Sequence, residues 1–459
     1  MTQTQAHVDT EVSVIGAGPV GSLLSGILAL NDIDVCIFDE SVDVLEGPRA
    51  MAVNARAAQI FDVLDLKDGL LTASPSAFGH YGRQKVDLGC VDTPWPGMWP
   101  ILQQALNQAL IDWALEAGAQ LVRGTRYLSS RMRPDGMVHA AFSGSLIKSS
   151  SSRILVGCDG EDSAVRLWTG MGQTAVAGER RFVTANVRAA DMPTYRFEPF
   201  ADGAVVSSGQ IEDQLHRIMM HVPAAAPAIT TARDVEIAWA QTTGAPLQGK
   251  VLSWGLQTDR RVVSDSFRDG EVVLAGDAAH SQLPVGGCSL NYGIEDAFNL
   301  AWRIKHTIDT GTSRLLDDYA AERKFAARRL HELVNTQVQE LYETYLIDRG
   351  SAGTSSATGV QDPAAFLSGT DIDYSSCGTN TEKLLSPARV SLTHSQLLGL
   401  KDAQRSLQYS RIGSIDGSFR ASPSLQKLRN IEQRSELHGP TSDQDFLLVR
   451  PDGYVLTNA

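Results

Sequence analysis

Gly16-Ala17-Gly18-Pro19-Val20-Gly21 places glycine at the three positions where a strand-to-helix turn must be tight, then open, then closely packed. Gly16 permits the turn, Gly18 lets backbone approach a pyrophosphate, and Gly21 lets the helix lie against the strand; the helix N-terminus holds the anion. Pro19 suits a first helical turn, where its missing N–H is no loss. Asp39 follows at the end of the next apolar run. A carboxylate there accepts hydrogen bonds from both hydroxyls of an adenosine ribose and repels a 2′-phosphate. The pair predicts bound FAD or NAD and disfavours NADP at this site, against the blander reading of a glycine turn and a strand-end aspartate.

Two further motifs carry chemistry. Gly157-Cys158-Asp159-Gly160 ends an apolar run in a carboxylate, and Ser163 stands where it can cap a helix beginning near Ala164. Leu274-Ala275-Gly276-Asp277 delivers a second carboxylate to a helix start, where it can accept from ribityl hydroxyls. Pro284-Val285-Gly286-Gly287-Cys288-Ser289-Leu290-Asn291 then offers backbone N–H groups to an electron-rich ring edge. Each aspartate alone reads as a turn or a cap; the three motifs in this order do not.

The elements that must position them are legible from periodicity. Glu11 to Ile15, Pro19 to Leu30 and Asp34 to Asp39 read as strand, helix and strand. An amphipathic helix is predicted over Trp99 to Ala119, with Gln120 to Arg123, Arg153 to Gly157 and Glu271 to Ala275 as further strands. From Phe182 to Trp254 the alternation changes to that of antiparallel strands with one covered face. Helix returns from Tyr292 to Tyr345, broken near Gly311, and beyond Arg349 the pattern weakens until Phe446.

With Asp and Glu at 53 and Lys and Arg at 40, the formal charge of −13 disfavours a nucleic-acid or membrane-surface role. The cysteines, Cys36, Cys90, Cys158, Cys288 and Cys377, form no CxxC pair and no zinc-spaced cluster, so no metal site is expected and the setting reads as reducing. The polar start and the lack of a long apolar run predict a soluble, cytoplasmic protein.

Over residues 11–345 the chain resembles the single-component (group A) FAD-dependent aromatic hydroxylases of the para-hydroxybenzoate hydroxylase type, especially the branch acting on phenols and aromatic polyketides. GxGxxG with Asp39, Asp159-Gly160 with Arg166, and Gly276-Asp277 with Pro284 to Asn291 match that family's three signatures. Asp296 to Arg303 and Leu315 to Tyr319, with Glu322-Arg323, look like its long helices. The resemblance implies that Arg49, in Gly47-Pro48-Arg49-Ala50, approaches the FAD pyrophosphate and the nicotinamide cofactor, that Gln103 contacts the flavin, and that Tyr127 offers a backbone contact to adenine. Leu448 to Val455 resembles the end of the family's thioredoxin-like third domain.

The implied fold is α/β: a Rossmann-like FAD-binding domain (residues 1–75, 100–178 and 262–345), an inserted antiparallel β-sheet substrate domain (76–99 and 179–261), and a shortened thioredoxin-like C-terminal region (346–459). The implied activity is an NAD(P)H-dependent flavoprotein monooxygenase. FAD is held tightly and non-covalently, NADPH or NADH docks transiently, and dioxygen gives a flavin hydroperoxide that hydroxylates a small aromatic substrate, phenolic or polyketide. No catalytic residue is assigned; His80, Tyr81, His216 and His221 are candidate bases. Phe78, Trp95, Met98, Trp99, Phe197, Phe200, Met219 and Met220 come from segments expected near the substrate. A homodimer is one assembly left open. Cys288-Ser289 departs from the family's glycine-containing loop, and a serine in place of glycine is expected to restrict φ there. That departure motivates the alternative, a flavin-binding reductase or a non-oxygenating assembly factor.

Overall fold

The first strand unit forms as its apolar runs require. In the computed structural model, which describes residues 6–44, 47, 50–82, 84–193, 195–199, 205–223, 228–283, 285–347 and 362–372, with short stretches at 386–388, 410–412, 447–450, 452 and 455–457, Val12–Ile15 is the heart of a six-stranded sheet. The order is Arg268–Asp269, Val272–Leu274, Ile154–Gly157, Val12–Ile15, Val35–Phe38, Gln120–Val122, all parallel except the first strand. Val12–Ile15, Val35–Phe38 and Ile154–Gly157 are buried at every residue, the signature of a parallel sheet covered on both faces. The helix Pro19–Leu30 packs against Gln103–Glu116 through Gly26, where a Cβ would fall 2.1 Å from the Trp113 ring.

That second helix is shorter than the periodicity predicts. Trp99 precedes Pro100, which pushes it into extended backbone, and Trp99–Pro100 pairs instead with Ala52–Val53 as a short antiparallel ladder. A four-stranded sheet of Ala6–Asp9, Ile147–Ser152, Val138–Ser143 and Arg126–Met132 lies outside the periodicity signal altogether. One of its strands is Ile-Lys-Ser-Ser-Ser-Ser, whose burial is supported by polar pairing, as between Ser150 and Ser13 (3.2 Å), rather than by apolar alternation.

The alternating region forms a second six-stranded sheet, ordered Tyr195–Pro199, Val205–Glu212, Leu215–Pro223, Gln173–Arg188, Lys250–Ser264, His280–Ser281. Gln173–Arg188 and Lys250–Ser264 are continuous through positions 178 and 261, with a register shift between Ala177 and Arg181. One face carries Val183, Ala185, Ile218 and Met220 against the helix Ala232–Thr243, through Val235 and Trp239.

Two long helices complete the layer: Cys288–Thr310, which starts four residues before the expected Tyr292, and Arg314–Ile347. Gly311, with φ of +74°, ends the first. Further on, the described residues form four short antiparallel strands in the order Ser386–Ala388, Val455–Thr457, Leu447–Val449, Ser410–Ile412. Most of the region expected to be thioredoxin-like lies outside the described residues. No described helix is long and apolar enough to cross a membrane.

Candidate functional site

The glycine motif is built as its spacing requires. Gly16 has φ of +105°, and a Cβ on it would lie 2.4 Å from the Cys158 carbonyl oxygen; one on Gly21 would lie 2.1 Å from the Gly16 oxygen. A Cβ on Gly18 would meet nothing within 4 Å, so this backbone faces open space. Gly18 is also the N-cap of Pro19–Leu30, and no side chain satisfies the helix end. Asp39 arrives from the next strand, and its carboxylate accepts from the Ala17 N–H (2.5 Å) and the Ser41 N–H (2.7 Å).

Two adjoining cavities share Gly18, Pro19 and Gln103. The smaller, about 70 Å³, is lined by Asp39, Ser41 and Arg123; the larger is about 650 Å³. Gln103 stands at the junction because its N–H donates to the Ala50 oxygen (2.9 Å) while its Oε1 accepts from the Ala50 N–H (3.2 Å). From the glycine motif the larger cavity passes Gly160, Asp277, Gly286, Gly287, Ser289 and Leu290, and reaches Thr184, Arg217, Met219 and His221 on the inner face of the antiparallel sheet.

Asp277 is solvent-exposed within this cavity, at the start of the turn Gly276–Ala278. A buried network that sequence inspection did not single out holds the turn. The Gly276 N–H donates to Asp296 Oδ2 (2.8 Å), His280 Nε2 donates to the same oxygen (2.7 Å), and Arg323 Nε donates to Oδ1 (2.5 Å). Burial pushes the Asp296 carboxyl up, yet His280 and Arg323 hold it below the usual carboxylate range. These residues stand 16 to 27 positions apart with no local pattern, so only the tertiary fold joins them.

Asp159 is placed differently from Asp277. Its carboxylate accepts from the Ser163 hydroxyl (2.6 Å) and the Val165 N–H (3.0 Å), capping Ala164–Thr169, and burial raises its pKa despite those bonds. Cys158 and Gly160, not the Asp159 side chain, line the cavity. Arg166 is likewise structural, donating to the carbonyls of Ala278 (2.5 Å) and Glu161 (2.6 Å). Tyr127 is buried, donating to Ser130 Oγ (2.7 Å), with its backbone two residues from Thr125, whose N–H donates to the Asp39 oxygen (2.7 Å). Pro48, Arg49 and Pro284 lie outside the described residues.

The loop departs from the expectation at Ser289. Gly286 (φ +71°) and Gly287 (φ +67°) take the left-handed conformations, whereas Cys288 and Ser289 already lie in the helix Cys288–Thr310, so serine restricts nothing. Ser289 Oγ accepts from Gln282 Nε2 (2.8 Å). Asn291 clamps the loop, its Nδ2 donating to the Gly287 oxygen (2.8 Å) and its Oδ1 accepting from the Asn54 N–H (2.9 Å). Cys288 is buried, and burial, with Asp371, pushes its thiol up to about 12.

Among the candidate bases, His80 and His221 line the cavity; Tyr81 and His216 are buried away from it. Burial, then Lys85, lowers the His80 pKa and favours neutral imidazole. Strand period separates Met219 from Met220: Arg217, Met219 and His221 share the cavity face, while Ile218 and Met220 face the helix. Met98 lines the cavity. Trp95 and Trp99 instead pack edge to face at 6.1 Å beneath Lys67, and Phe78 is exposed under Lys85. Phe200 and the Phe197 side chain lie outside the described residues. Arg217 and Arg260 face the cavity as Glu161 and Asp277 do, so its wall is balanced in charge while the whole chain is acidic.

The match to known proteins agrees with this geometry. Residues 9–334 match the family model described as FAD binding domain. The chain is 28% identical to a rifampicin monooxygenase of Rhodococcus hoagii, covering 97% of this chain and 94% of the relative. It superposes on the OxyS anhydrotetracycline hydroxylase of Streptomyces rimosus with a TM-score of 0.77 at 24% identity, covering 98% and 96% of the two chains, a likeness of fold. CabE, an aromatic hydroxylase from angucycline biosynthesis, gives 0.75 at 26% identity, covering 98% and 95%. The chain belongs to the FAD binding domain family and is a flavoprotein monooxygenase of the group A aromatic hydroxylase type.

Proposed function

We propose that this protein is an NAD(P)H-dependent FAD monooxygenase that hydroxylates a phenolic or polyketide aromatic substrate in the cytoplasm. The observation that carries the reading is the course of the larger cavity, which joins the uncapped helix at Gly18 to Asp277 and then to the sheet face bearing Arg217, Met219 and His221. Gly18 would admit the pyrophosphate, Asp39 the adenosine ribose, and Asp277 the ribityl chain, while Gly287 and Ser289 would border the ring. FAD, when bound and reduced by NADPH or NADH, supplies the two-electron activation of dioxygen.

The chain orients the substrate and shields it. Buried Arg217, its Nε donating to Asn186 Oδ1 (2.6 Å), presents positive potential toward an electron-rich ring or phenolate. Neutral His80 is a group that can accept a phenol proton. In this reading residues 1–75, 100–178 and 262–345 hold FAD, and 76–99 and 179–261 cover the substrate. The names of the relatives include rifampicin and anhydrotetracycline as well as 3-(3-hydroxy-phenyl)propionate, so both polyketides and single-ring phenols belong in the test.

The test is purification with quantification of bound FAD, then NADPH and NADH oxidation against a panel of phenols, naphthols and polyketide quinones. Substrate-stimulated oxidation with a product one oxygen heavier is expected. Bound FAD with substrate-independent oxidation and no oxygenated product across the panel would overturn the proposed phenolic or polyketide substrate class.

A further inference from the structure

Three of the nine methionines, Met51, Met98 and Met219, line the larger cavity, and all three are half-buried. Met98 stands at the Gly286-Gly287 loop. A Cβ built on Gly287 would lie 3.7 Å from the Met98 methyl, and apart from that glycine's own stretch of chain this is the one described atom within 4 Å of the point. The Met98 side chain therefore ends in open space beside Gly287 rather than in packed core. Its backbone is pinned there: the Met98 N–H donates to the Ser76 oxygen (2.9 Å), the Ser76 N–H donates to the Met98 oxygen (2.8 Å), and Trp95 and Trp99, before and after it in the chain, pack against each other. Met51 reaches the cavity at the sheet instead, its methyl 3.1 Å from a Cβ built on Gly209, which pairs with Arg217 on the strand of Met219. The nearby thiols are poor competitors for an oxidant, because burial pushes Cys158 and Cys288 up and keeps both protonated. A thioether needs no deprotonation and reacts wherever peroxide can reach it.

We propose that Met98 is an oxidation site of the cavity: hydrogen peroxide released beside Gly287 converts its thioether to the sulfoxide and places a polar oxygen in an apolar wall. The source of the peroxide rests on the function proposed above. NADPH or NADH oxidised without an aromatic substrate passes two electrons to dioxygen, which takes up two protons and leaves as hydrogen peroxide. The Met98 sulfur attacks one peroxide oxygen. The S–O bond forms as the O–O bond breaks, sulfur loses two electrons, and the second oxygen departs as water with both protons. A flexible apolar side chain thereby becomes a polar one. Met98 packs against the cluster that includes Leu283, Val285 and Leu367, whose side chains offer the new oxygen no hydrogen bond. Oxidation is favoured during idle turnover, when no ring fills the space beside Gly287.

The experiment uses the full chain as purified, with FAD content measured first by absorbance and oxygen uptake at each methionine read by peptide mass spectrometry. Added hydrogen peroxide should oxidise Met98 about 10-fold or more faster than buried Met171, Met192 and Met220, with exposed Met132 as the fast surface control. NADPH or NADH in air, with no aromatic compound and with catalase in the bulk, should oxidise Met98 ahead of Met51 and Met219 and leave Met132 reduced. Peroxide bound for Met132 must cross solvent that destroys it. On peroxide treatment Met98→Leu should lose less melting temperature than the wild type. Met98 oxidised as slowly as Met220 by added peroxide, Met132 oxidised ahead of Met98 under catalase, or equal melting losses overturns the assignment. The peptide maps need no variant, so they carry the test if Met98→Leu fails to fold. The added-peroxide arm needs neither FAD nor turnover: protein without FAD or without NADPH and NADH oxidation counts against the proposed function, while this arm still decides the site.

Discussion

Asp277 and Asp159 show how alike two strand-end aspartates look in sequence and how differently they are used. Both follow a short apolar run; only Asp277 is exposed to the cavity, while Asp159 caps its own helix. Asp277→Ala should therefore lower FAD affinity by about 10- to 100-fold, the loss of charge-assisted hydrogen bonds, with melting of the apoprotein unchanged. Asp159→Ala should do the reverse, lowering the melting temperature first. Flavin release on dialysis and thermal scans of both apoproteins would separate the two roles. At Cys288 the thiol, pushed up to about 12, stays protonated at neutral pH. Acid precipitation should accordingly leave all the flavin in the supernatant, and a yellow pellet would contradict the non-covalent reading. The glycines and Asp39 were legible because their roles depend on local backbone. Met219 against Met220 was not, since a two-residue period gives the faces of a strand without saying which one meets the cavity.

At the scale of elements, the strand, turn and helix around Gly16 give a paired prediction. Gly21→Ala puts a methyl 2.1 Å from a backbone oxygen, which cannot yield, so the helix must leave the strand and soluble protein should be scarce. Gly18→Ala meets no atom within 4 Å and should fold with near-wild-type melting, but its methyl enters the cavity and FAD affinity should fall. Equal melting losses in the two variants would argue against an open cradle at Gly18. Helix and strand positions in the parallel sheet could be read because apolar runs and capping signals agree there. The serine strand Ile147–Ser152 and the early start of the helix at Cys288 could not. One is stabilised by a side-chain hydrogen bond to Ser13 on the neighbouring parallel sheet, the other by Asn291 tying the loop to Asn54, and neither leaves an apolar period.

For the whole molecule, the short turn bearing Arg450 and Asp452 is decisive. Arg450 donates twice to buried Glu322 (2.8 and 3.0 Å) and to Asp452, and Arg56 donates to the Asp452 carbonyl (2.6 Å). Arg450→Met leaves Glu322 with Arg303 as its remaining cation and Asn299 as a neutral donor, and should destabilise by about 3–5 kcal/mol, measured by urea unfolding. Acid should act in two ranges. Burial, then His280, lowers His331 to about 4, so its neutral form stabilises above the unfolded value of 6.5, and that contribution is lost as pH falls from 6.5 through about 4. Glu322, held near 2 by Arg303 and Arg450 against burial, loses its contribution below 4.5. A scan of melting temperature with pH should show both ranges in the wild type, and His331→Gln should shrink the upper one, leaving the smaller part that His80 and His139, also lowered by burial, contribute. The acidic composition foretold neither range, because both arise from contacts between distant segments. Arg56 and its partner are 396 positions apart in the chain. During synthesis the helix Ala55–Val63 emerges early, with Gln59 on the same helix to accept from Arg56, while its other partners, Glu295 and the Asp452 carbonyl, are made much later. A nascent chain stopped before residue 450 thus lacks both the Asp452 carbonyl that accepts from Arg56 and the Arg450 that pairs with Glu322, and should be a substrate for chaperones and proteases even though its glycine and aspartate motifs are already made.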